Sequence, residues 1–181
     1  MKLDFLERKI EIPEGVEVNL EGGQLVVSGL KGRNSRLLKY PGISIDKKNN
    51  QVVVSAKKVS RSEKRLIGTY TAHVRNMIYG VKDGYTYKLK ICSGHFPMKV
   101  AVEGDKVVIN NFLGEKIPRT AKVLDDVKVE ISGDEVTVEG VDLEKVGQTA
   151  ANIERSTRIT NRDRRVFQDG CYITSKAKDK K

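Results

Sequence analysis

Few side chains in this chain could carry out covalent or metal chemistry. It holds two histidines and two cysteines, His73, Cys92, His95 and Cys171. Their separations match no zinc-ligand spacing, and His73 falls in the middle of a helical pattern. Cys92-Ser93-Gly94-His95 sets a thiol near an imidazole, the pairing that makes a thiolate nucleophile. A cysteine closing a strand beside a surface histidine accounts for it more simply. Asp125-Asp126 is a carboxylate pair, but adjacent residues of an extended chain point to opposite sides, so it reads as a solvated turn. There is no phosphate-cradling glycine loop, no nucleophile elbow and no H-E-x-x-H helix. These residues predict neither an enzyme nor a metal or cofactor site.

The arginines are more informative. The chain has 181 residues, 34 Lys plus Arg, 24 Asp plus Glu and a net charge of +10. Residues 155–181 carry nine bases against three acids. The bases are Arg155, Arg158, Arg162, Arg164 and Arg165, then Lys176, Lys178, Lys180 and Lys181. A guanidinium fork matches a phosphate bidentately, whereas an ammonium acts as a point charge. A basic excess of this kind fits a polyanionic partner: nucleic acid, an anionic membrane or an acidic protein. A membrane is disfavoured, because no basic amphipathic helix with bulky apolar residues is present and no apolar run approaches a membrane span. The first residues lack the apolar core of a secretory signal, and two cysteines are too few for a disulfide framework. A second basic run, Lys57 to Arg65, reads as a solvated face.

The elements that must position the arginines are written twice. Val16, Val18 and Leu20 alternate, turn at Gly22-Gly23, and continue as Leu25-Val26-Val27. Met98, Val100 and Val102, then Gly104-Asp105, then Val107-Val108-Ile109 repeat that pattern without a gap. A second hairpin, Ile43 to Val54 around Asn49-Asn50, recurs as Val127 to Val138 around Gly133-Asp134. Each copy then enters a helix. The first has a capping-box start at Ser60-Arg61-Ser62-Glu63 and the stripe Leu66, Tyr70, Val74, Met77, Val81. The second starts at Asp142 and has the stripe Val146, Ala150, Ile153. Gly68 aligns with Gly147 and Ala72 with Ala151, which suggests close approach of helix and sheet. The expected fold is α+β: two tandem duplicated domains, each a small antiparallel sheet packed on one helix. The boundaries are 1–81, 82–175 and a basic disordered tail at 176–181. A terminal hairpin, 164–168 with 172–175 around Asp169-Gly170, is expected in the second copy.

The C-terminal stretch from Gln148 to Glu154 and from Asn161 to Ile173 resembles the signature of the L-six family of large-subunit ribosomal proteins, in its archaeal and eukaryotic form. Further matching segments, in order, are Ile10–Val16, His73–Val81, Gly94–Pro97 and Asn110–Lys116. Cys171 stands where relatives usually carry an aliphatic residue, a substitution that a buried thiol tolerates. The resemblance implies a non-catalytic structural protein in the cytoplasm that binds large-subunit ribosomal RNA. It implies a seat beside the sarcin–ricin loop and the surface where translational GTPases dock, among neighbouring large-subunit proteins. An RNA-binding or assembly factor outside the ribosome is the alternative.

The site expected from charge and resemblance comprises Arg155, Arg158, Arg162, Arg164 and Arg165 as phosphate contacts. Gln168, Asp169 and Gly170 form a turn open to close backbone approach, with Tyr172 and Lys176 beyond it. His95 and Phe96 lie on a loop of the same domain; Phe96 reads as packing more than as a base-stacking ring. The first repeat is expected to be a spacer and protein-contact module.

Overall fold

The computed structural model describes residues 3–94 and 96–177. The described residues form an α+β fold, with thirteen strands in antiparallel sheets and two α-helices, and the chain divides into two compact units between Gly84 and Tyr85.

The first unit contains β1 (Leu3–Glu11), β2 (Glu17–Glu21), β3 (Gln24–Gly29), β4 (Gly32–Leu37), β5 (Ile43–Lys48), β6 (Gln51–Val59) and α1 (Arg61–Asp83). Its strands form two sheets, β1-β6-β5 and β2-β3-β4, and α1 packs on strands of both. The alternation seen in the sequence supplies the core: Val18, Leu25, Val27, Val52 and Val54 are fully enclosed, opposite Ile67, Val74 and Val81 of α1. The buried stripe of α1 is rotated slightly from the expected one, because Ile67 and Ile78 point inward while Leu66 and Tyr70 are only half-buried. The capping box forms as expected: Ser60 accepts from the Ser62 amide, and Glu63 accepts from the Ser60 amide at 2.8 Å. α1 runs to Asp83 and ends at Gly84, whose φ of +76° favours glycine. The expected 81/82 boundary therefore falls inside the last turn of this helix.

The second unit contains β7 (Tyr85–Cys92), β8 (Lys99–Glu103), β9 (Lys106–Asn110), β10 (Arg119–Lys122), β11 (Val127–Ser132), β12 (Glu135–Gly140), α2 (Leu143–Ser156) and β13 (Gly170–Ser175). Its sheets are β10-β9-β8 and β11-β12-β7-β13, and α2 packs on both. Val107, Ile109, Val136, Val138 and Leu89 meet Val146, Ala150 and Ile153, with Phe112 filling the core as its bulkiest enclosed residue. Asp142 caps α2 by accepting from the Glu144 and Lys145 amides.

The terminal hairpin does not form. Arg164 to Val166 make a turn, and β13 instead pairs antiparallel with β7, Cys171 facing Ile91. Asp163 diverts the chain: its side chain accepts from the Arg165 amide at 2.9 Å, and its carbonyl accepts from the amides of Val166 and Phe167. An aspartate that binds the backbone two residues on favours a turn over a strand.

Candidate RNA-binding surface

The second helix delivers the basic segment. Arg155 lies in its last turn, where a cation complements the negative end of the helix dipole. Arg155, Arg158, Arg162, Arg164 and Arg165 are all exposed. Among the described residues, only Arg165 of these five pairs with an acid: its guanidinium meets Asp163 at 2.8 Å and is itself largely solvated. That pair holds the Asp163 carboxyl below the usual carboxylate range, the Arg165 hydrogen bond being the main cause. Arg162 stacks over the Phe167 ring at 5.0 Å. The charges are thus displayed outward rather than neutralised within the protein.

Two groupings emerge. Arg164 and Arg165 line an open cleft of about 500 Å³ with Cys92, Gln168 and Tyr172. Arg158 and Arg162 lie near a residue that charge counting overlooked, Arg119 on β10. Arg119 donates through Nε and Nη2 to both carboxylate oxygens of Glu115, at 2.8 and 2.6 Å. Its Nη1 reaches the carbonyls of Ser156 and Arg158, at 3.0 and 3.1 Å. Its guanidinium also covers the Phe112 ring at 4.2 Å. One fork therefore satisfies orphan carbonyls at the end of α2 and ties the arginine segment to the β10 sheet. Hydrogen bonding from Arg119 lowers the Glu115 carboxyl, with a smaller contribution from the charge of Arg162. The sequence signal was an arginine opening a short strand four residues after a glutamate, which is indistinguishable from a surface pair until the fold brings the helix end to it.

The turn residues serve the protein's interior. Asp169 is buried, and its carboxylate accepts from the Gly94 amide at 2.7 Å, joining the turn to the loop after β7. It is therefore an anchor of the fold and not an open contact. Gly170, with φ +148°, is enclosed, and a side chain there would press on Thr157 Oγ1 and the Tyr172 ring, each 3.2 Å away. The absence of a side chain serves internal packing, not the approach of an external backbone. Tyr172 is half-buried and donates to the Asp169 carbonyl at 3.2 Å; burial is the main cause raising its phenol. Gln168 is exposed and donates to the Arg165 carbonyl at 3.4 Å, and Lys176 is exposed beyond β13. Phe96 is 43% exposed, its ring against the open side of Gly114, so the packing reading gives way to a surface aromatic. His95 lies outside the described residues, as does the tail beyond Ala177.

The free edge of β13 is covered by side chains of the α2 end. The Cys171 amide donates to Thr157 Oγ1 at 2.9 Å, and the Ile173 amide to Glu154 at 3.0 Å. Covering an edge in this way blocks further strand pairing. Burial also pushes the Cys171 thiol up to about 12, Cys92 contributing a smaller part. A thiol so shifted holds almost no thiolate at neutral pH. Maleimide at pH 7.5 is therefore expected to label half-buried Cys92 in the folded chain and to reach Cys171 only after denaturation, as peptide mass mapping would read. Labelling of Cys171 at a comparable rate in the native chain would contradict its packing.

An α+β unit repeated in tandem, with five exposed arginines from the last turn of its second helix onward, has the charge arrangement of a protein that meets a polyanion. The sequence matches the family described as Ribosomal protein L6 over residues 12–84 and 96–170, one stretch in each unit. It is 50% identical to the large ribosomal subunit protein uL6 of Methanocella arvoryzae over 94% of this chain and 97% of that one. The uL6 proteins of Methanosarcina mazei and Archaeoglobus fulgidus are 49% and 46% identical, each over 95% of this chain and over 98% and 90% of their own lengths. The chain belongs to the ribosomal protein L6 family, of the type found in archaea. It is accordingly a structural protein of the cytoplasmic ribosome, not an enzyme. No helix among the described residues is long and apolar enough to cross a membrane.

Proposed function

We propose that this chain is a constituent of the large ribosomal subunit, held on its ribosomal RNA by the second unit. The seat is beside the sarcin–ricin loop, with neighbouring large-subunit proteins around it and translational GTPases docking nearby. The observation that carries this reading is the outward display of Arg155, Arg158, Arg162 and Arg164 without acidic partners among the described residues. Solvated guanidinium groups can exchange counterions for phosphates, whereas paired ones must first break an internal contact. Gln168, Lys176, Phe96 and His95 extend the contact zone, and Tyr172 supports the cleft lined by Arg164 and Arg165. Family membership and the large-subunit names of the relatives support placement in the large subunit. Recognition rests on RNA shape and backbone more than on base sequence.

Sedimentation through a high-salt sucrose cushion tests the assignment. A tagged chain expressed in an archaeal host should remain with washed large subunits in near-stoichiometric amount. Release into the supernatant together with assembly intermediates would instead identify a transient factor.

A further inference from the structure

The first unit is the more basic of the two. Residues 1–84 hold 16 Lys and Arg against 9 Asp and Glu, a net +7, while residues 85–181 hold 18 against 15, a net +3. Much of that excess lies on and before α1. Arg61, Lys64, Arg65, Arg75 and Lys82 are exposed along this helix, and Lys57 and Lys58 are exposed at the end of β6. α1 has two acids: Glu63 is committed to the Ser60 cap, and Asp83 is the last residue of the helix. The stretch from Arg61 to Arg75 therefore presents bases to solvent with no acid among them except the capping glutamate.

The aligned glycines of the two helices, Gly68 and Gly147, have different surroundings. In α2, a side chain at Gly147 would meet the Tyr87 hydroxyl at 3.3 Å, so glycine there makes room for a ring of its own unit. In α1, a side chain at Gly68 would meet nothing within 4 Å. Packing within the unit thus does not account for Gly68, and glycine inside a helix is less stable than alanine. Ala72, one turn on, is exposed as well. Arg61, Lys64 and Arg65 stand before this small-residue floor and Arg75 after it.

We infer that the solvent face of α1 is a second RNA-binding surface, which lays a phosphodiester backbone across Gly68 and Ala72 between the flanking arginines. The first unit is then an RNA contact in its own right and not only a spacer. Spaced cations around a low floor suit an evenly charged backbone that must come close to the helix. The inference rests on the reading that the chain is seated on ribosomal RNA.

The test uses the full chain and deproteinised large-subunit ribosomal RNA, read by hydroxyl-radical footprinting and by a salt series. Two separate protections are expected. Arg61→Gln/Arg65→Gln/Arg75→Gln should lose one and flatten the log–log salt slope by about 2 to 3. Gly68→Ala should raise the melting temperature by about 2 °C, because alanine favours the helix, yet weaken RNA binding severalfold. A variant that is more stable but binds less well separates a contact role from a folding role. A triple variant with the wild-type slope and both protections overturns the inference. So does a Gly68→Ala chain that binds as wild type, or cross-linking of the α1 face to a neighbouring protein with RNA binding unaltered. If only the protection that depends on Arg158, Arg162 and Arg164 is found, the inference fails alone; if no protection is found, both readings fail.

Discussion

Replacing Arg119 with alanine should destabilise the second unit by about 2–4 kcal/mol, since the change removes charge-assisted hydrogen bonds and a cation–π contact together. The side chain is 26% exposed, so its bonds to Glu115 and to the carbonyls of Ser156 and Arg158 are only partly replaced by water. Losing the fork strands these carbonyls at the helix end and leaves Phe112 uncovered. The melting temperature should fall by about 10 °C. Arg119→Lys keeps the charge but cannot span Glu115 and the helix end at once, so an intermediate loss is expected. RNA affinity should fall further than the population of unfolded chain explains, because the Arg155–Arg158 segment loses its tie to β10. Differential scanning fluorimetry with RNA titration below the melting range separates the two effects. Wild-type stability in Arg119→Ala would mean that the interaction is a solvated surface pair.

A second large effect is expected on binding with little effect on folding. Arg158, Arg162 and Arg164 are exposed and have no acidic partner among the described residues, so changing all three to glutamine removes no internal ion pair. Affinity for large-subunit ribosomal RNA should fall by about two to three orders of magnitude at low salt, with the salt slope reduced by about 2 to 3. The melting temperature should change little, the contact most at risk being Arg162 over Phe167. A collapse in stability would assign these side chains to folding. Adding Arg165→Gln should contribute less than a free arginine would, because Asp163 already holds that guanidinium.

The elements legible in the sequence were those whose signal is local. The β2-β3, β5-β6, β8-β9 and β11-β12 hairpins each show alternation around a glycine or asparagine turn, and both helices announce their caps at Ser60 and Asp142. Strands that depend on partners distant in sequence were not legible. β1 pairs with β6 across most of the first unit, and β4 is the polar segment Gly32–Leu37, which alternates weakly and lies on a sheet edge. β13 shows the same effect most clearly. Asp169-Gly170 carries a strong local hairpin signal, yet the strand joins β7 because Asp163 turns the chain before 164–168 can extend.

The candidate site divides along the same line. Arginine enrichment after α2 needs no tertiary knowledge, and the exposed groups are where charge counting puts them. Asp169 and Gly170 resemble surface turn residues in the sequence, but the Gly94 amide and the Tyr172 ring enclose them. Arg119 could not be recognised at all, because its importance comes from the carbonyls of Ser156 and Arg158, far along the chain. The charge of the first unit was hidden differently. Its bases are spread from β1 to α1, so no short stretch stands out as residues 155–165 do, and only the division at Gly84 reveals their sum.

The central claim, that phosphate neutralisation by the arginines of residues 155–165 seats the second unit on RNA, is tested most directly by the salt dependence of binding. The full chain should be titrated with large-subunit ribosomal RNA between 50 and 400 mM monovalent salt. The four arginines without an acidic partner among the described residues, neutralising about one phosphate each, predict a log–log slope on the order of −2.8 to −3.6, steeper where Arg165 leaves Asp163 or the α1 face adds contacts. A slope near zero, with affinity retained at the highest salt, would contradict the account.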